Sequence, residues 1–223
     1  MADEISEDWL TRGRALSSAT LHEAAGRAGA LPCALKPVSP RMTVCGRAFP
    51  VLSPAGDNLW LHRAIEAAGP GDVIVADVGD GDEFGYWGEI MAVAARQRGI
   101  EGLVITGGVR DSRRLVAMDF PVFSRTICIR GTGKDPDGAG SLGEPVRIGD
   151  IDIHAGDFVF GDADGVVILP KTRAPEVIAL SEDRDRHEAV LIEALRGGKT
   201  TMEIYNLPRL PAAGRSIGKA GAM

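Results

Sequence analysis

The sequence predicts an α/β fold in a compact single domain, and three observations lead to this class. Short apolar runs alternate with segments of helical periodicity along the middle of the chain. Two buried strand segments, 71–77 and 156–162, begin with the same Gly-Asp turn. The 223 residues are 44% hydrophobic, with 29 Gly and 13 Pro, which suffices for one sizeable core. We therefore expect one domain over residues 1–208 and a C-terminal tail over residues 209–223.

The individual elements follow from periodicity and from helix breakers. Leu16, Thr20, Leu21 and Ala24 have helical spacing before Gly26, so residues 1–30 are predicted to be helical. Prolines, glycines and a short β-type run predict turns and a strand over residues 32–54. Later segments with helical periodicity are 57–68, 89–98, 112–118 and 174–195. Strands are predicted at 71–77, 102–106, 121–130, 156–162 and 165–169, and a glycine-rich acidic loop at 79–88.

The composition argues against several classes of protein. A formal net charge of −6 and a pI near 5.3 disfavour nucleic-acid binding, which requires a basic surface that displaces phosphate counterions. The sequence lacks an apolar run of the roughly 18 residues that a membrane-spanning helix needs, and its start is unlike a signal peptide. The cysteines Cys33, Cys45 and Cys128 lack CxxC spacing and predict buried or partly buried thiols. We expect a soluble cytoplasmic protein without a nucleic-acid or membrane partner.

One turn combines a guanidinium with a carboxylate. Arg110 and Asp111 follow the apolar run at 102–106 and precede a helical pattern, so both lie at a strand-to-helix turn. Asp is a hard oxygen ligand suited to Mg²⁺ or Mn²⁺, and Arg is suited to a substrate carboxylate. Gly107 and Gly108 are expected to let the backbone come close to a ligand. An N-cap Asp beside a surface Arg would explain the same pair without any function.

A second candidate anion site lies 21 residues earlier in the chain. Glu89 opens a predicted helix, and the free N–H groups and the dipole at a helix start attract anions. A glutamate that only stabilises its own helix is the simple alternative.

Gly88-Glu89, twenty intervening residues and Arg110-Asp111 together resemble the signature of a family of metal-dependent pyruvate aldolases. These are the class II 4-hydroxy-4-methyl-2-oxoglutarate / 4-carboxy-4-hydroxy-2-oxoadipate aldolases, which share their fold with the regulators of ribonuclease E activity. The resemblance covers residues 15–205, with further landmarks at 20–27, 56–58, 70–75, 107–111, 120–124 and 162–166. It implies a layered α-β-β-α arrangement and a homotrimer or homohexamer with active sites at its interfaces.

The resemblance also implies roles for individual residues. Asp111 would bind the divalent ion, and Arg110 would bind the 2-oxo acid substrate and stabilise the enolate oxygen. Glu89 would help to hold waters around the metal. The backbone amides of Ile90 and Met91 would receive the substrate carboxylate.

Three further residues are candidates for the site. Glu188 matches an acidic residue that a neighbouring subunit supplies in the family, although its charged surroundings also fit a solvated helix face. His22 lies in an aldolase-like segment and is a candidate substrate contact, with a packed helical histidine as the alternative. Asn58 is a candidate contact for the distal carboxylate or hydroxyl of the substrate, and helix capping would explain it as well.

Two positions bear on which branch of the family the chain resembles. The aldolases usually carry Asp where this chain has Glu89, and the extra methylene moves the carboxylate by about one C–C bond, ~1.5 Å. That change affects the water network and the choice of substrate. The regulators typically lack the Asp that follows the Arg, so Asp111 favours the metal-dependent enzyme.

The resemblance therefore implies a carbon-carbon lyase that uses Mg²⁺ or Mn²⁺. It would cleave a 4-hydroxy-2-oxo di- or tricarboxylic acid to pyruvate and a second oxo acid, with the catabolism of aromatic compounds as the expected context. Decarboxylation of oxaloacetate needs the same enolate and is expected as a side activity. The alternatives are a dedicated oxaloacetate decarboxylase on the same site and a non-catalytic regulator of a ribonuclease.

Overall fold

The computed structural model describes residues 5–209, so residues 210–223 of the predicted tail lie outside the described residues. The chain divides into two compact units, one that ends at Glu182 and one that begins at Asp183. The first unit contains the strands and most of the helices, and the second contains the end of one long helix and a short helix. The domain bounds 1–208 and 209–223 stay a prediction.

The helices and strands within residues 5–209 are as follows. The helices are α1 (Glu7–Gly13), α2 (Ser18–Ala24), α3 (Leu59–Ala67), α4 (Glu89–Gln97), α5 (Ser112–Ala117), α6 (Ala174–Arg196) and α7 (Thr201–Ile204). The strands are β1 (Lys36–Pro37), β2 (Val44–Leu52), β3 (Asp72–Asp77), β4 (Gly85–Trp87), β5 (Gly102–Val109), β6 (Val122–Ile127), β7 (Ser141–Leu142), β8 (Val146–Ile148), β9 (Ile151–Ile153), β10 (Phe158–Gly161) and β11 (Val166–Leu169).

A mixed sheet forms the centre of the first unit. In the part of the chain that the structure describes it has nine strands, in the order β1-β6-β5-β3-β2-β10-β11, with β4 beside β5 and β7 beside β2. The middle strands β2, β3, β5 and β6 are parallel, and the flanking pairs are antiparallel. Strands β8 and β9 pair separately. The carboxyl ends of the parallel strands meet at one edge, which is where ligand sites form in α/β folds.

Strand β3 shows how both faces of this sheet are covered. Ile74 and Ala76 belong to a core shared with α3, α4 and α5, and Val73 and Val75 belong to a core shared with β8 to β11. The side chains separate in this way because successive residues of a strand point to opposite faces. A third core joins α1, α2 and the first turns of α6 to the outer face of β10 and β11. The predicted α/β class and its α-β-β-α layering are confirmed.

The prediction that residues 1–30 are helical is confirmed only in part within the described residues. Two short helices, α1 and α2, lie there with a turn between them. Ser17 caps α2, since its side chain accepts the Thr20 N–H at 3.0 Å. A Cβ at Gly13 would lie 2.6 Å from the Phe158 ring, so the end of α1 packs closely on β10. Tertiary packing and a strong cap thus divide a segment whose periodicity suggested one helix.

The segment predicted as a loop at 79–88 contains a short strand, β4. Its Tyr86 and Trp87 are fully buried, and the Tyr86 hydroxyl donates to the Gly81 carbonyl at 2.6 Å. A strand of three residues is too short to show a period, so only its pairing with β5 reveals it.

Gly107 and Gly108 serve this strand pairing, and the expectation that they admit a ligand is wrong. A Cβ at Gly107 would lie 2.7 Å from the Tyr86 ring, and one at Gly108 would lie 2.7 Å from the Phe84 carbonyl oxygen. Protein atoms from β4 and the residue before it therefore occupy the space that the missing side chains leave.

The remaining differences are at strand ends and at one cysteine. Strand β5 continues to Val109 instead of ending at 106, and β6 ends at Ile127 instead of 130. Strands β7 to β9 lie in a segment for which the pattern predicted no element. Cys45 is buried and Cys128 is partly buried, as expected, but Cys33 is exposed. The helices predicted at 57–68, 89–98, 112–118 and 174–195 are confirmed within two residues at each end.

Between residues 5 and 209, every helix is too short or too polar to cross a membrane. The cytoplasmic location stays a prediction.

Candidate active site

Arg110 and Asp111 lie at the carboxyl end of β5, as predicted. The Arg110 N–H donates to the Trp87 carbonyl at 2.8 Å, which joins the end of β5 to the end of β4. Asp111 has a φ of 57° and is the N-cap of α5. This left-handed conformation is uncommon outside glycine, although Asp tolerates it better than most residues. Both side chains are exposed, so they are available to a ligand.

A hydrogen bond ties Asp111 to the beginning of α4. The Glu89 N–H donates to Asp111 Oδ2 at 3.1 Å. The residue between β4 and α4 is Gly88, and a Cβ there would lie 2.4 Å from the same carboxylate oxygen. Glycine is therefore required for Asp111 to approach the helix start. The second oxygen of Asp111 accepts no hydrogen bond from residues 5–209, which leaves it available to a cation.

The first turn of α4 supplies backbone donors beside this carboxylate. The amides of Ile90 and Met91 lie in the first helical turn, where N–H groups have no intrahelical acceptor. The helix start also carries partial positive charge. Ile90 is 83% exposed and Met91 is 5% exposed, so the amides lie at the boundary between solvent and core.

These groups surround a pocket of about 250 Å³. It is lined by Asn58, His62, Gly88, Ile90, Met91, Arg110, Asp111 and Lys134. Two permanent cations and one carboxylate line it, so it carries a net positive charge that favours an anion. Size alone does not distinguish it, since a cavity of about 350 Å³ lies near Ser39 and Asp119. The pocket is distinguished by its combination of a guanidinium, a carboxylate and the amides of a helix start.

Asn58 is 2% exposed and contributes a buried amide group to the pocket. Its Nδ2 donates to the Tyr86 carbonyl at 2.8 Å and contacts Met91 Sδ at 3.6 Å. Its Oδ1 is buried and has no hydrogen-bond partner among the described residues. A buried acceptor without a partner is destabilising by about 1–3 kcal/mol, so a donor from a bound molecule would stabilise this arrangement.

Two basic residues of the pocket were missed as site residues in the sequence analysis. His62 lies one turn into α3, and its position on a helix suggested only packing. Burial lowers the pKa of His62, and the Lys134 charge lowers it further. Lys134 comes from a loop 76 positions after Asn58, and the glycine-rich turn at 131–133 was the single local signal for it.

Glu89 has two different contacts. Its backbone amide faces Asp111, whereas its carboxylate lies 3.4 Å from Arg114 Nη1. Both partners of this ion pair are largely exposed, so the pair contributes little free energy and can exchange for another partner. The carboxylate of Glu89 is not among the groups that line the pocket. Its place near metal-bound waters stays a prediction.

His22 does not line the pocket of Arg110, and Glu188 belongs to the second unit. His22 lines a separate cavity of the first unit with Cys33 and Asp164 and donates from Nδ1 to the Ala28 carbonyl at 3.0 Å. Glu188 belongs to the second unit, where its carboxylate accepts from Arg184 Nε at 2.8 Å. The substrate contact of His22 and the intersubunit position of Glu188 stay predictions.

The donor set of the pocket fits Mg²⁺ or Mn²⁺ better than Zn²⁺. Within residues 5–209 there is no cluster of three His, Cys, Asp or Glu side chains that could hold a metal ion. Mg²⁺ commonly binds through one or two carboxylates and keeps several waters or substrate oxygens. A single accessible carboxylate oxygen of Asp111 meets that requirement, whereas Zn²⁺ would need three or four protein ligands.

The fold and the site define a class of protein: an α/β chain that presents an arginine, a carboxylate and helix-start amides at the ends of parallel strands. The family described as "RraA-like: Aldolase/RraA" matches residues 4–168. The chain belongs to this RraA-like family, which agrees with the resemblance found in the sequence.

Individual relatives show the same similarity. A protein of Halalkalibacterium halodurans, named "Putative 4-hydroxy-4-methyl-2-oxoglutarate aldolase", is 30% identical over 198 residues, which cover 89% of this chain and 93% of that protein. A crystal structure of an uncharacterized Pseudomonas syringae pv. tomato protein has a TM-score of 0.82 at 27% identity and covers 92% of this chain and 96% of that one. The RNA-processing inhibitor RraA from Thermus thermophilus has a TM-score of 0.62 at 25% identity and covers 69% of this chain and 92% of its own.

Proposed function

We propose that the protein is a divalent-metal-dependent aldolase that cleaves a 4-hydroxy-2-oxo di- or tricarboxylic acid to pyruvate and a second oxo acid. The observation that carries the proposal is the pocket in which Arg110, Asp111 and the first turn of α4 meet. The name of the Halalkalibacterium halodurans relative supports the same class of reaction and substrate.

The pyruvyl end of the substrate binds where the donors are concentrated. The C1 carboxylate accepts hydrogen bonds from the Ile90 and Met91 amides, with the start of the α4 dipole behind them. Arg110 binds the 2-oxo oxygen. Because guanidinium is permanently charged and planar, it orients this oxygen and stabilises negative charge on it.

Asp111 would hold the cation beside this oxygen. The Glu89 N–H binds Oδ2 of Asp111 and thereby fixes the orientation of the carboxylate. The other oxygen, Oδ1, then has a fixed direction in which to bind the cation. When bound, Mg²⁺ or Mn²⁺ supplies further positive charge to the 2-oxo oxygen and the C1 carboxylate.

The bond between C3 and C4 then breaks. Its electron pair moves to the 2-oxo oxygen and forms the enolate of pyruvate, and C4 becomes the carbonyl carbon of the second product. Arg110 stabilises this enolate more strongly than the neutral ketone, which is why it accelerates the reaction. Protonation of C3 completes pyruvate.

The 4-hydroxyl group must lose its proton as the bond breaks. We propose that Glu89, together with Glu188 of a neighbouring subunit, orients a water through which this proton passes to a carboxylate. The same proton returns through the water to C3 of the enolate, so no net proton is gained or lost. Glu89 is suited to the task because its exposed pair with Arg114 is weak.

The distal end of the substrate faces the rest of the pocket. Lys134 supplies a second cation, which suits a substrate that carries a further carboxylate. Asn58 offers a buried acceptor, and His62 is held neutral at neutral pH by burial and by Lys134. These three groups favour a substrate with an anionic distal group and a hydroxyl.

The proposed assembly is a homotrimer or homohexamer with the site at an interface, where Glu188 and His22 have their predicted roles. The proposed partner is the 2-oxo acid, without nucleic acid or membrane.

The test is pyruvate release from 4-hydroxy-4-methyl-2-oxoglutarate, coupled to lactate dehydrogenase, with and without a chelator. Asp111→Ala should abolish metal-dependent release. Arg110→Ala should lower kcat by about 10²–10³, the effect of removing one oxyanion donor. Arg113→Ala and Asp119→Ala are matched controls, since both residues are exposed and outside the pocket. Near-normal turnover in either site variant would overturn the mechanism.

The same assay separates the other two functions. Release of pyruvate from oxaloacetate alone would indicate a dedicated decarboxylase, whereas release from both substrates fits an aldolase with a side activity. Inertness toward both, combined with affinity for a ribonuclease, would support a regulator. The structural similarity to the Thermus thermophilus RNA-processing inhibitor is the observation that favours this last candidate.

A further inference from the structure

Asp57 is a buried carboxylate that the proposed reaction does not use. It precedes Asn58 at the start of α3 and is 7% exposed. Its Oδ1 accepts the Leu59 N–H at 2.8 Å, and its Oδ2 accepts the Asp135 N–H at 2.6 Å. One carboxylate thus joins two backbone segments that are 78 positions apart. Because a buried carboxylate is strongly destabilising unless it is hydrogen-bonded, these two bonds compensate the burial of Asp57.

The segment that Asp57 holds carries Lys134, and we name residues 131–138 the strap. Gly133 in the strap makes two further backbone hydrogen bonds. Its N–H donates to the Gly56 carbonyl at 2.8 Å, and its carbonyl accepts the Asn58 N–H at 3.2 Å. These bonds and the bond to Asp57 flank Lys134 on both sides. The backbone of Lys134 is therefore fixed to the segment that leads into α3.

Trp60 anchors the far end of the strap. Its indole N–H donates to the Gly138 carbonyl at 2.8 Å. The segment 57–62, which leads into α3, therefore carries both the anchors of the strap, Asp57 and Trp60, and two lining residues of the pocket, Asn58 and His62.

We propose that Asp57 is a positioning residue that places Lys134 in the pocket and so sets the affinity for the distal anionic group of the substrate. Without the carboxylate, the strap would have to become ordered each time substrate binds, which weakens binding. The effect on catalysis rests on the proposed function, whereas the effect on the strap and on anion binding does not.

Asp57→Asn tests the proposal because the side chain keeps its shape but loses one acceptor. An amide group has only one acceptor oxygen, so its NH₂ group would face either the Leu59 N–H or the Asp135 N–H. Since both groups are donors, that backbone N–H would lose its hydrogen bond. Hydrogen exchange at Asp135 should become faster. KM for 4-hydroxy-4-methyl-2-oxoglutarate should rise about tenfold with kcat nearly unchanged, as expected for a charge-assisted hydrogen bond. Inhibition by oxalate, which resembles the enolate of pyruvate and has no distal group, should not change.

Two further variants separate positioning from general destabilisation. Lys134→Met should raise KM similarly, and the double variant with Asp57→Asn should be no worse than Lys134→Met alone, because both changes remove one interaction. Asp157→Asn is the matched control, since Asp157 is 4% exposed and accepts the His154 and Lys171 N–H groups at 2.8 and 3.0 Å. It should lower the melting temperature without changing KM.

The outcomes that overturn the proposal differ from those that overturn the function. Additive effects of the two changes, or an unchanged KM in Asp57→Asn, would refute the positioning role. If the wild type releases no pyruvate, the proposed function fails, and calorimetric binding of 2-oxoglutarate decides the inference. Its affinity should fall by a similar factor in Asp57→Asn and in Lys134→Met. No binding to the wild type, or equal affinity in all three proteins, would refute it.

Discussion

The pocket holds its charges at fixed places because individual side chains have fixed partners. Asp111 accepts the Glu89 amide, which keeps one carboxylate oxygen near the start of α4. The surroundings of His62 change its pKa, which burial lowers and the Lys134 ammonium lowers further. A neutral His62 leaves Arg110 and Lys134 as the cations of the pocket, so anion binding there does not depend on protonation of His62 near neutral pH.

The titration of His62 is testable by NMR. We predict that its ring proton titrates below the ordinary histidine value of about 6.5 and that Lys134→Met raises this pKa. The rise should be partial, because burial, the larger cause, remains. Lys36→Met, which removes an exposed lysine of β1, should leave the titration unchanged. A pKa of His62 that stays the same in Lys134→Met would contradict the placement of Lys134 beside it.

The site depends on how closely α4 and β5 approach each other. Gly88 follows β4 and is the N-cap of α4, and its missing side chain makes room for the Asp111 carboxylate. The bond from Arg110 N–H to Trp87 then fixes the ends of both strands. Three elements that are separate in sequence thus converge on one turn.

Gly88→Ala should disrupt this junction. The new Cβ would lie 2.4 Å from Asp111 Oδ2, so the carboxylate or the helix start must shift. We expect a loss of about 1–3 kcal/mol in the free energy of unfolding, as in other overpacked sites, and a loss of metal-dependent pyruvate release. Gly69→Ala is the control, since a Cβ there meets nothing within 4 Å. Full activity and stability of Gly88→Ala would show that the junction tolerates a side chain.

At the scale of the molecule, we expect the proposed site to take groups from more than one chain. Arg110 and Asp111 belong to the first unit, and Glu188 lies on the part of α6 in the second unit. In the proposed assembly a neighbouring subunit supplies Glu188. Each site would then draw its groups from two chains.

Subunit mixing tests this arrangement. Arg110→Ala and Glu188→Ala should each be nearly inactive alone, and a mixture that exchanges subunits should recover part of the activity. Recovery is expected because some interfaces then combine an intact Arg110 with an intact Glu188. Native mass spectrometry would establish that mixed oligomers form. Mixed oligomers without recovered activity would place both residues in one chain or exclude Glu188 from the site.

The sequence by itself determined the class of fold, most helices and the central chemical pair. Amphipathic periods and glycine stops locate α3, α4 and α6 because local residues dominate the stability of those elements. Arg110 and Asp111 were recognisable because both are adjacent in the chain, and a strand-to-helix turn exposes them together. Their spacing from Glu89 was sufficient to indicate the family.

Only the tertiary structure revealed what depends on distant residues. Strand β4 exists because it pairs with β5, and the glycines at 107 and 108 serve that pairing. Lys134 enters the pocket because a carboxylate at Asp57 holds a loop that lies far along the chain. The end of α1 packs on β10 because Gly13 has no side chain that would meet Phe158. Each of these results comes from contacts between segments that no local pattern connects.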